Sequence, residues 1–244
     1  MIKKLQKKIL RMAYMSGEGH VPSALSIIDI IWVLYSRVME KNDRFVLSKG
    51  HGALALYAVF AEIGMLKRGD IDEFALFDSK LGGHPDRNKI DGVLASTGSL
   101  GHGLPMAVGM AKAKKIKGEE GKVFCLVGDG ECNEGSIWEA LLIASHHNLD
   151  NLVCIVDYNT STDRAMKLDN LAEKFQSFGF WVDDIDGHDQ GAIKHMLSIT
   201  LEKKPTVVIC NTIKGKGIKR MENNPEWHHK SPTLKEYNEM IKEL

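Results

Sequence analysis

A glycine-flanked aspartate and a distant asparagine are the residues of this sequence that are best placed to do chemistry. Gly128-Asp129-Gly130 directly follows the apolar run KVFCLV, and Asn159 ends the next such run, NLVCIVDYN. In a right-handed βαβ unit both strand ends lie at the same edge of the sheet, where open α/β sheets bind ligands. We therefore expect Asp129 and Asn159 to converge, although 30 positions separate them (159 − 129).

This pair predicts a site for a hard cation that holds a diphosphate. Carboxylate and amide oxygens suit Mg²⁺ or Ca²⁺, whose other ligands would be a backbone carbonyl, water and phosphate oxygens. The glycines around Asp129 allow the backbone to approach a bound group closely. A helix predicted to begin near Gly135 would point its N-terminal N–H groups at the same place. A lone GDG sequence could equally be a tight turn without a ligand. Because a second strand ends in Asn159 at this distance, we favour the cation site.

Histidines beside glycine form a second group of chemical interest. The single ones are His20, His51, His84 and His102. A pair, His228-His229, lies downstream of the glycine-rich segment 214–217. An imidazole in such a loop can donate to phosphate or move protons near neutral pH. A surface loop explains any one of them, but five such loops together favour a shared site. Three further histidines fall within predicted helices, and we interpret them as structural or exposed to solvent: His146, His147 and His195.

Other nucleotide and nucleic-acid sites are excluded by pattern and charge. No G-x-x-x-x-G-K-[ST] motif is present, so the sequence has no P-loop. The run GSLGHG at 98–103 has the wrong glycine spacing for a dinucleotide fingerprint and follows no convincing strand. Lys+Arg total 32 and Asp+Glu total 32, so no excess of cations is available to displace phosphate counterions, and no nucleic-acid partner is expected.

The elements that would position these residues change in type along the chain. Helices are predicted at about 3–15, 24–38, 51–64 and 103–117, with a shorter one after Asp70. Strands are then predicted at 123–127, 152–157, 181–185 and 206–211, separated by helices at about 135–148, 168–178 and 189–202. A last helix is expected at about 232–244. This alternation predicts an α/β fold, with a parallel sheet flanked by helices on both faces and residues 1–244 forming a single domain.

Cysteine usage and hydropathy indicate a cytoplasmic protein. None of the four cysteines forms a C-x-x-C pair, which argues against a zinc site or a redox dithiol, and three lie in apolar runs where a thiol packs as a small hydrophobe. The four cysteines are Cys125, Cys132, Cys154 and Cys210, and Cys132 is the one outside an apolar run. The basic start MIKKLQKKILRMAYMSG has the composition of a transit peptide, but the near-helical spacing of its apolar residues favours an amphipathic helix. The longest uncharged apolar stretch is far shorter than a membrane span, so no membrane association is expected.

The sequence resembles the transketolase family of thiamine-diphosphate enzymes over nearly its whole length. The motifs that carry the resemblance, in family order, are GHVPSALS, DRFVLSKGHGALALYA, GGHP, STGSLGHGLPMAVGMA, GDGECNEGSIWEA, IVDYN, and TIKGKG followed by MENNPEWHH. Several motifs in the right order make this signal highly specific. The resemblance covers only the N-terminal part of a full-length transketolase, the thiamine-diphosphate-binding (PP-type) domain that grips the diphosphate.

The resemblance implies a role for each matching residue. Asp129 and Asn159 would be side-chain ligands of Mg²⁺ (or Ca²⁺), and the carbonyl of Ser161 would be a third ligand. Residues that would bind the cofactor are His51, Leu100, His102, Gly130, Glu134, Asn159 and His228. Residues that would line the substrate channel, bind hydroxyls and transfer protons are His20, His84 and His228.

Glu134 matches the family glutamate of GDG-x-x-x-EG, which joins a buried carboxylate network across the subunit interface. A charge favoured by the helix dipole is a compatible alternative for Glu134.

The resemblance also implies a partner chain. The family's second domain binds the aminopyrimidine ring and supplies the glutamate that activates it, and no segment here replaces that domain. The cofactor must be bent between two domains, so this chain holds half a site. We expect the pyrimidine-binding and C-terminal domains on a separate C-terminal subunit, in an α2β2 assembly, covering apolar surface that would otherwise face water.

Three departures from the family pattern concern the substrate. His102 stands where the family usually has Gln, and Gly83 precedes His84 where Pro is common. After Asn159 the sequence reads TSTDRAMKLD, where the family commonly shows a stretch ending in Asp-Gly. These differences indicate a specialised enzyme acting on a modified sugar or moving another acyl unit.

The function implied is that of the N-terminal subunit of a two-component transketolase, a transferase active only with its partner. It would move a two-carbon ketol unit from a ketose or ketose phosphate to an aldose. One alternative is the α subunit of a 2-oxo-acid decarboxylating or acyl-transferring enzyme that uses the same cofactor. The histidine set favours a sugar, because a polyol donor needs many hydrogen-bond partners. A second alternative is a non-catalytic scaffold, against which the intact Asp129–Asn159 pair speaks.

Overall fold

A parallel β-sheet carries the fold of the described residues, which are 1–67, 69–163 and 165–244 of the computed structural model. Its five strands there run in the order β1-β2-β3-β5-β4. The strands are β1 (Arg44–Leu47), β2 (Val123–Gly128), β3 (Leu152–Tyr158), β4 (Trp181–Asp186) and β5 (Thr206–Asn211). Each neighbouring pair is parallel, so the carboxyl ends of all five strands lie along one edge.

The α/β class is confirmed, and one strand was missed by the sequence analysis. β1 comprises only the four residues RFVL, which is too short for a periodic signal, and it precedes the loop of His51. It pairs with β2 from Arg44 opposite Val123 to Leu47 opposite Leu126. β1 therefore adds a sheet edge that brings the His51 loop beside the end of β2.

Eight α-helices are resolved within the described ranges. They are α1 (Ile2–Ser16), α2 (Val21–Val33), α3 (Ala53–Ile63), α4 (Gly103–Lys117), α5 (Gly135–His146), α6 (Leu171–Ser177), α7 (Gln190–Ser198) and α8 (Leu234–Met240). The helix predicted after Asp70 is a single 3₁₀ turn, Asp70–Glu73. α6 begins later than predicted because the Asn170 side chain accepts a hydrogen bond from the N–H of Glu173 at 3.1 Å and caps the helix there.

Helices cover both faces of the sheet, as the uninterrupted apolar strands predict. One core joins α1, α2, α3 and α7 to alternate strand residues such as Phe124 and Ile155. The other joins α4, α5 and α6 to the intervening residues such as Cys125 and Val156. All four cysteines are buried free thiols, as the apolar runs around Cys125, Cys154 and Cys210 predict for those three.

The most apolar helical stretch is buried in the fold. Val21–Val38, which comprises α2 and a π-helical turn (Leu34–Val38), is long and apolar enough to cross a membrane by length and composition alone. However, 72% of the stretch is buried inside the fold, and α2 packs against α1 and α3. Its composition is therefore explained by its position in the core. α1 is amphipathic as predicted, burying Leu5, Ile9 and Met12 against these helices.

Candidate active site

Asp129 and Asn159 lie just past the ends of the adjoining strands β2 and β3. Gly128 stands opposite Asp157 in the register, and the N–H of Asp129 donates to the carbonyl of Asp157 at 3.1 Å. Asp129 is 3% exposed and Asn159 5% exposed. The strand order thus brings a carboxylate and an amide together at the carboxyl edge of the sheet, where the sequence analysis expects them.

The carboxylate of Asp129 has one satisfied and one unsatisfied oxygen. Oδ1 accepts a hydrogen bond from the N–H of Gly130 at 2.7 Å. Oδ2 is buried and has no hydrogen-bond partner among the described residues. Burial, and then the charge of Asp157, raise the pKa of Asp129 above its ordinary value of 3.8. A cation beside Oδ2 would remove this cost, because an unpaired buried carboxylate oxygen is strongly unfavourable.

The amide of Asn159 has a defined orientation. Its Nδ2 donates to Oδ2 of Asp157 at 2.9 Å, and its Oδ1 accepts from the N–H of Ser161 at 3.2 Å. A carbonyl oxygen has two lone pairs, so Oδ1 keeps one for a further partner. Among the described residues no cluster of three or more His, Cys, Asp or Glu is arranged to hold a metal. A cation here would need the hard oxygen set of a carboxylate, an amide, a carbonyl and phosphate or water, which fits Mg²⁺ or Ca²⁺.

A cavity of about 250 Å³ opens beside this pair. Its lining residues are Gly130, Asn159, Thr160, Ser161, Thr162, Lys214, Asn223, Asn224, Pro225 and His228. Among the described residues, a Cβ at Gly130 would meet only Thr162, at 3.8 Å, and the backbone of Gly130 is not left-handed, so these residues do not require glycine at this position. The space left beside Asp129 is therefore available to a bound group.

Lys214 gives the cavity a positive end. Its Nζ lies 3.1 Å from Nδ1 of His228. Burial, and then the neighbouring charge of Lys49, lower the pKa of Lys214 below 10.5. A half-buried ammonium group beside another cation favours an anionic ligand, so the cavity combines a cation site with an anion site.

Histidines from distant segments of the chain cluster around His228, which is one of the residues that line this cavity. Relative to the ring centroid of His20, the rings of His51, His228 and His229 lie at 5.4, 5.3 and 4.5 Å. Nδ1 of His20 lies 2.9 Å from the carbonyl oxygen of His228 and must donate to it, so Nε2 of neutral His20 is free to accept. Burial lowers the pKa of His20 to about 4.

The His51 imidazole is also held neutral. Burial, followed by the charge of Lys49, lowers its pKa to about 2. At neutral pH both His20 and His51 are therefore uncharged imidazoles that can accept one hydrogen bond and donate another.

His84 approaches the same cluster from an exposed loop. Its ring packs on Gly98, where a Cβ would come within 3.2 Å of it. The hydroxyl of Tyr57 donates to the carbonyl oxygen of His84 at 3.1 Å and anchors the loop. Burial, and then the charge of His229, lower the pKa of His84. The three predicted channel histidines are thus close in space, and His229 lies among them.

Four predicted cofactor contacts are not among the described residues that line this cavity: His51, Leu100, His102 and Glu134. Leu100 is half-buried, and His102 and Glu134 are exposed, at the starts of α4 and α5. The Cβ of Glu134 lies beside Gly101, so the 98–103 loop packs against the start of α5. Their roles stay predictions, as does the role of the divergent stretch after Asn159, in which Arg164 lies outside the described residues.

Several site residues were missed by the sequence analysis. Asp157 and Lys49 form a buried ion pair behind Asn159, and they are 0% and 2% exposed. Glu131 is buried and accepts hydrogen bonds from the hydroxyl of Ser48 and from the N–H groups of Gly101 (2.9 Å) and Gly128 (3.2 Å). The available signals were charged residues next to or inside conspicuous motifs: SKGH for Lys49, GDGE for Glu131 and IVDYN for Asp157.

Similarity to known proteins agrees with this geometry. Residues 6–243 match the family described as transketolase, thiamine diphosphate binding domain. The chain is 40% identical over 258 aligned residues to one of the subunits of apulose-4-phosphate transketolase from Actinobacillus succinogenes, covering 99% of this chain and 94% of that protein. It is 35% identical over 244 residues to 6-deoxy-6-sulfo-D-fructose transketolase subunit SqwG of Clostridium sp. (strain MSTE9), covering 93% of this chain and 89% of that protein.

A solved structure with the same fold is transketolase from Leishmania mexicana. It superposes with a TM-score of 0.89 at 26% sequence identity, covering 98% of this chain. The chain spans only 40% of the length of that protein. The similarity therefore concerns one part of a full-length transketolase, whereas the two subunit relatives match nearly end to end.

Proposed function

This chain belongs to the transketolase family through its thiamine diphosphate binding domain, and from that premise we propose that it is the N-terminal subunit of a two-component transketolase. The complex transfers a two-carbon ketol unit from a ketose or ketose phosphate to an aldose. The observation that carries this proposal is the Oδ2 of Asp129, which has no partner among the described residues and lies beside a cavity lined by Asn159, Lys214 and His228. The named activity of two relatives of similar length supports it.

The residues of the cavity fit a magnesium diphosphate. Asp129 and Asn159 would hold Mg²⁺ by side-chain oxygens, and the carbonyl of Ser161 would be the third protein ligand. Lys214 and His228, which lie 3.1 Å apart at this cavity, would bind the diphosphate, and the ring of His51 lies 6.3 Å from that of His228. When bound, thiamine diphosphate supplies the carbanion-stabilising chemistry that ketol transfer needs. The protein supplies grip, orientation and proton movement.

The histidine cluster serves the sugar. His20 offers a free Nε2 as acceptor, since its Nδ1–H is held by the carbonyl of His228. His84 and His228 lie with it at the channel and can exchange protons with substrate hydroxyls near neutral pH. Uncharged imidazoles bind hydroxyl groups without the cost of burying a charge. Three or more such rings suit a polyol donor.

A second chain completes the site. The relatives that match this chain end to end are named as subunits, which supports a separate chain bearing the pyrimidine-binding half. Large apolar side chains on α4 and α5 are more than half exposed: Ile116 (74%), Leu142 (60%) and Ile143 (51%). This surface suits a subunit interface. We propose a heterotetramer with two copies of each chain, in which residues 1–244 form one domain. The four free buried thiols support a reducing, cytoplasmic location.

The test is an assay of the chain reconstituted with its partner subunit, in the presence of thiamine diphosphate and Mg²⁺. Ketose phosphates and the two sugars named for its relatives, apulose 4-phosphate and 6-deoxy-6-sulfo-D-fructose, are offered as donors with a panel of aldoses. We expect formation of a ketose two carbons longer than the acceptor. Release of CO₂ from pyruvate without any ketol transfer would contradict the proposal and favour the 2-oxo-acid enzymes.

A further inference from the structure

The side chain of Asn159 has two ends of similar shape and opposite chemistry. Its oxygen can bind a cation, whereas its NH₂ group has no lone pair to offer and would repel one. Rotation of the amide by half a turn exchanges the two ends. A cation site that uses Asn159 therefore needs a neighbour that selects one orientation.

Asp157 is placed to make that selection. It is 0% exposed, and its Oδ2 accepts from Nδ2 of Asn159 at 2.9 Å. An ionised carboxylate only accepts hydrogen bonds, so the opposite amide orientation would set two oxygens against each other. The N–H of Ser161, which donates to Oδ1 of Asn159 at 3.2 Å, agrees with the same orientation.

Asp157 is itself held in place and kept ionised. Oδ2 also accepts hydrogen bonds from the hydroxyl of Ser26 at 2.8 Å and from the ammonium group of Lys49. Oδ1 receives the hydroxyl of Thr212. Donors from four separate segments thus surround one carboxylate, which leaves it no freedom to rotate and no proton to donate.

We propose that Asp157, ion-paired with Lys49, is a positioning residue that holds the amide of Asn159 with its oxygen toward the cation site beside Asp129. The inference rests on the proposed function, because it concerns the magnesium that this function needs. Groups that orient a metal ligand typically change metal affinity by about 10- to 100-fold when removed. Asp157 acts through Asn159 and need not touch the metal.

The experiment compares variants of the reconstituted complex by calorimetric titration with Mg²⁺ at saturating thiamine diphosphate. Asp157→Asn replaces an obligate acceptor by a group that can present either end to Asn159, and we expect Mg²⁺ affinity to fall by about tenfold or more. The exchanged pair Asp157→Asn with Asn159→Asp puts a carboxylate at 159, which offers oxygen in either orientation and can accept from residue 157. We expect this double variant to recover most of the lost affinity.

A matched control is Asp29→Asn. Asp29 is also a buried aspartate, 6% exposed on α2, and it binds His188 and Gln190 rather than Asn159. The substitution Asp29→Asn should lower the stability of the fold without changing Mg²⁺ affinity. If Asp157→Asn fails to fold because Lys49 is left unpaired, the variant Lys49→Met with Asp157→Asn removes both charges, and it should show the same loss of affinity.

The outcomes separate this inference from the proposed function. If the wild-type complex binds neither thiamine diphosphate nor Mg²⁺, the proposed function is wrong. If the wild type binds both and Asp157→Asn binds Mg²⁺ equally well, the positioning role is wrong. A loss in Asp157→Asn that the exchanged pair does not recover would also overturn the inference, since it would indicate a merely structural effect.

Discussion

Nδ1 of His20 donates to the carbonyl oxygen of His228 across 2.9 Å, joining two residues that are 208 positions apart in the chain. The bond ties the start of α2 to the loop before α8. It also selects the neutral tautomer of His20 whose Nε2 points away from the protein carbonyl and can accept from a substrate hydroxyl. One backbone contact therefore leaves Nε2 of His20 as an acceptor, which the proposed role in donor binding needs.

Replacing His20 by Ala should weaken donor binding and turnover in the reconstituted complex. Loss of one neutral hydrogen bond to a sugar hydroxyl corresponds to about 1 kcal/mol, or roughly fivefold, in donor kcat/KM. Steady-state kinetics with varied donor measure this change. The exposed His195 on α7 is the control, since His195→Ala should leave kcat/KM unchanged. Equal effects of the two substitutions on donor kcat/KM would show that His20 does not bind the donor.

Replacing His84 by Ala should separate substrate binding from cofactor binding. The ring of His84 lies on Gly98 in an exposed loop and is not among the residues that line the diphosphate cavity. We expect thiamine diphosphate affinity near that of the wild type, with a raised donor KM or a lowered kcat. Calorimetry with the cofactor and kinetics with the donor distinguish the two effects. A variant that chiefly lost cofactor affinity would show that the loop has a different role.

His51 should make the chain less stable in mild acid. Its pKa is 6.5 when unfolded and about 2 in the fold, because burial and the charge of Lys49 disfavour the imidazolium. The unfolded chain therefore binds an extra proton as pH falls below 6.5, so the stability contribution of neutral His51 is present above that pH and is lost below it. His20, with a pKa of about 4, acts in the same direction.

The measurement for His51 is the midpoint of thermal unfolding, followed by circular dichroism from about pH 7 to about pH 5. Raised pKa values at Asp129 and Glu131 act in the opposite direction, so the wild type is compared with His51→Asn, which differs by one titrating group. We expect the unfolding midpoint of the variant to fall less steeply as the pH is lowered. Parallel curves for the two proteins would mean that His51 titrates normally in the fold.

Leu142 tests the proposed interface. It lies on α5 with 60% of its surface exposed, so Leu142→Lys should leave the folded chain stable while placing a charge where the partner would cover it. Size-exclusion chromatography with light scattering should show loss of the heteromeric complex. His195→Lys, on a helix of the opposite sheet face, should leave the complex intact. A normal complex with Leu142→Lys would place the partner elsewhere.

The sequence was sufficient to predict that Asp129 and Asn159 converge and to single out the histidines, because the physical reasons are local. Parallel strands end at one edge, so the ends of β2 and β3 had to bring Asp129 and Asn159 together. Histidines beside glycine in loops could be recognised individually, and their convergence on His20 depends on how those loops fold. β1 was missed because four residues carry no periodicity.

The residues behind the pair could not be found from spacing alone. Lys49 and Asp157 are 108 positions apart, and each charge is accommodated in the interior only because the other is there. Asp157 stands inside an apolar strand, where the pattern indicates packing rather than hydrogen bonding. Such long-range compensation of buried charges is visible only when the strands are in place.

The most direct test of the account is calorimetric titration of the reconstituted complex with thiamine diphosphate, with and without Mg²⁺, in the wild type and in Asp129→Asn. The substitution retains an oxygen for the N–H of Gly130 and removes the unpaired anionic one. We predict cofactor binding that depends on Mg²⁺ in the wild type and that loses this dependence, with weaker binding, in the variant. Wild-type binding that is indifferent to Mg²⁺, or equal Mg²⁺-dependent binding in both proteins, would contradict the claim that Asp129 and Asn159 together hold a magnesium diphosphate.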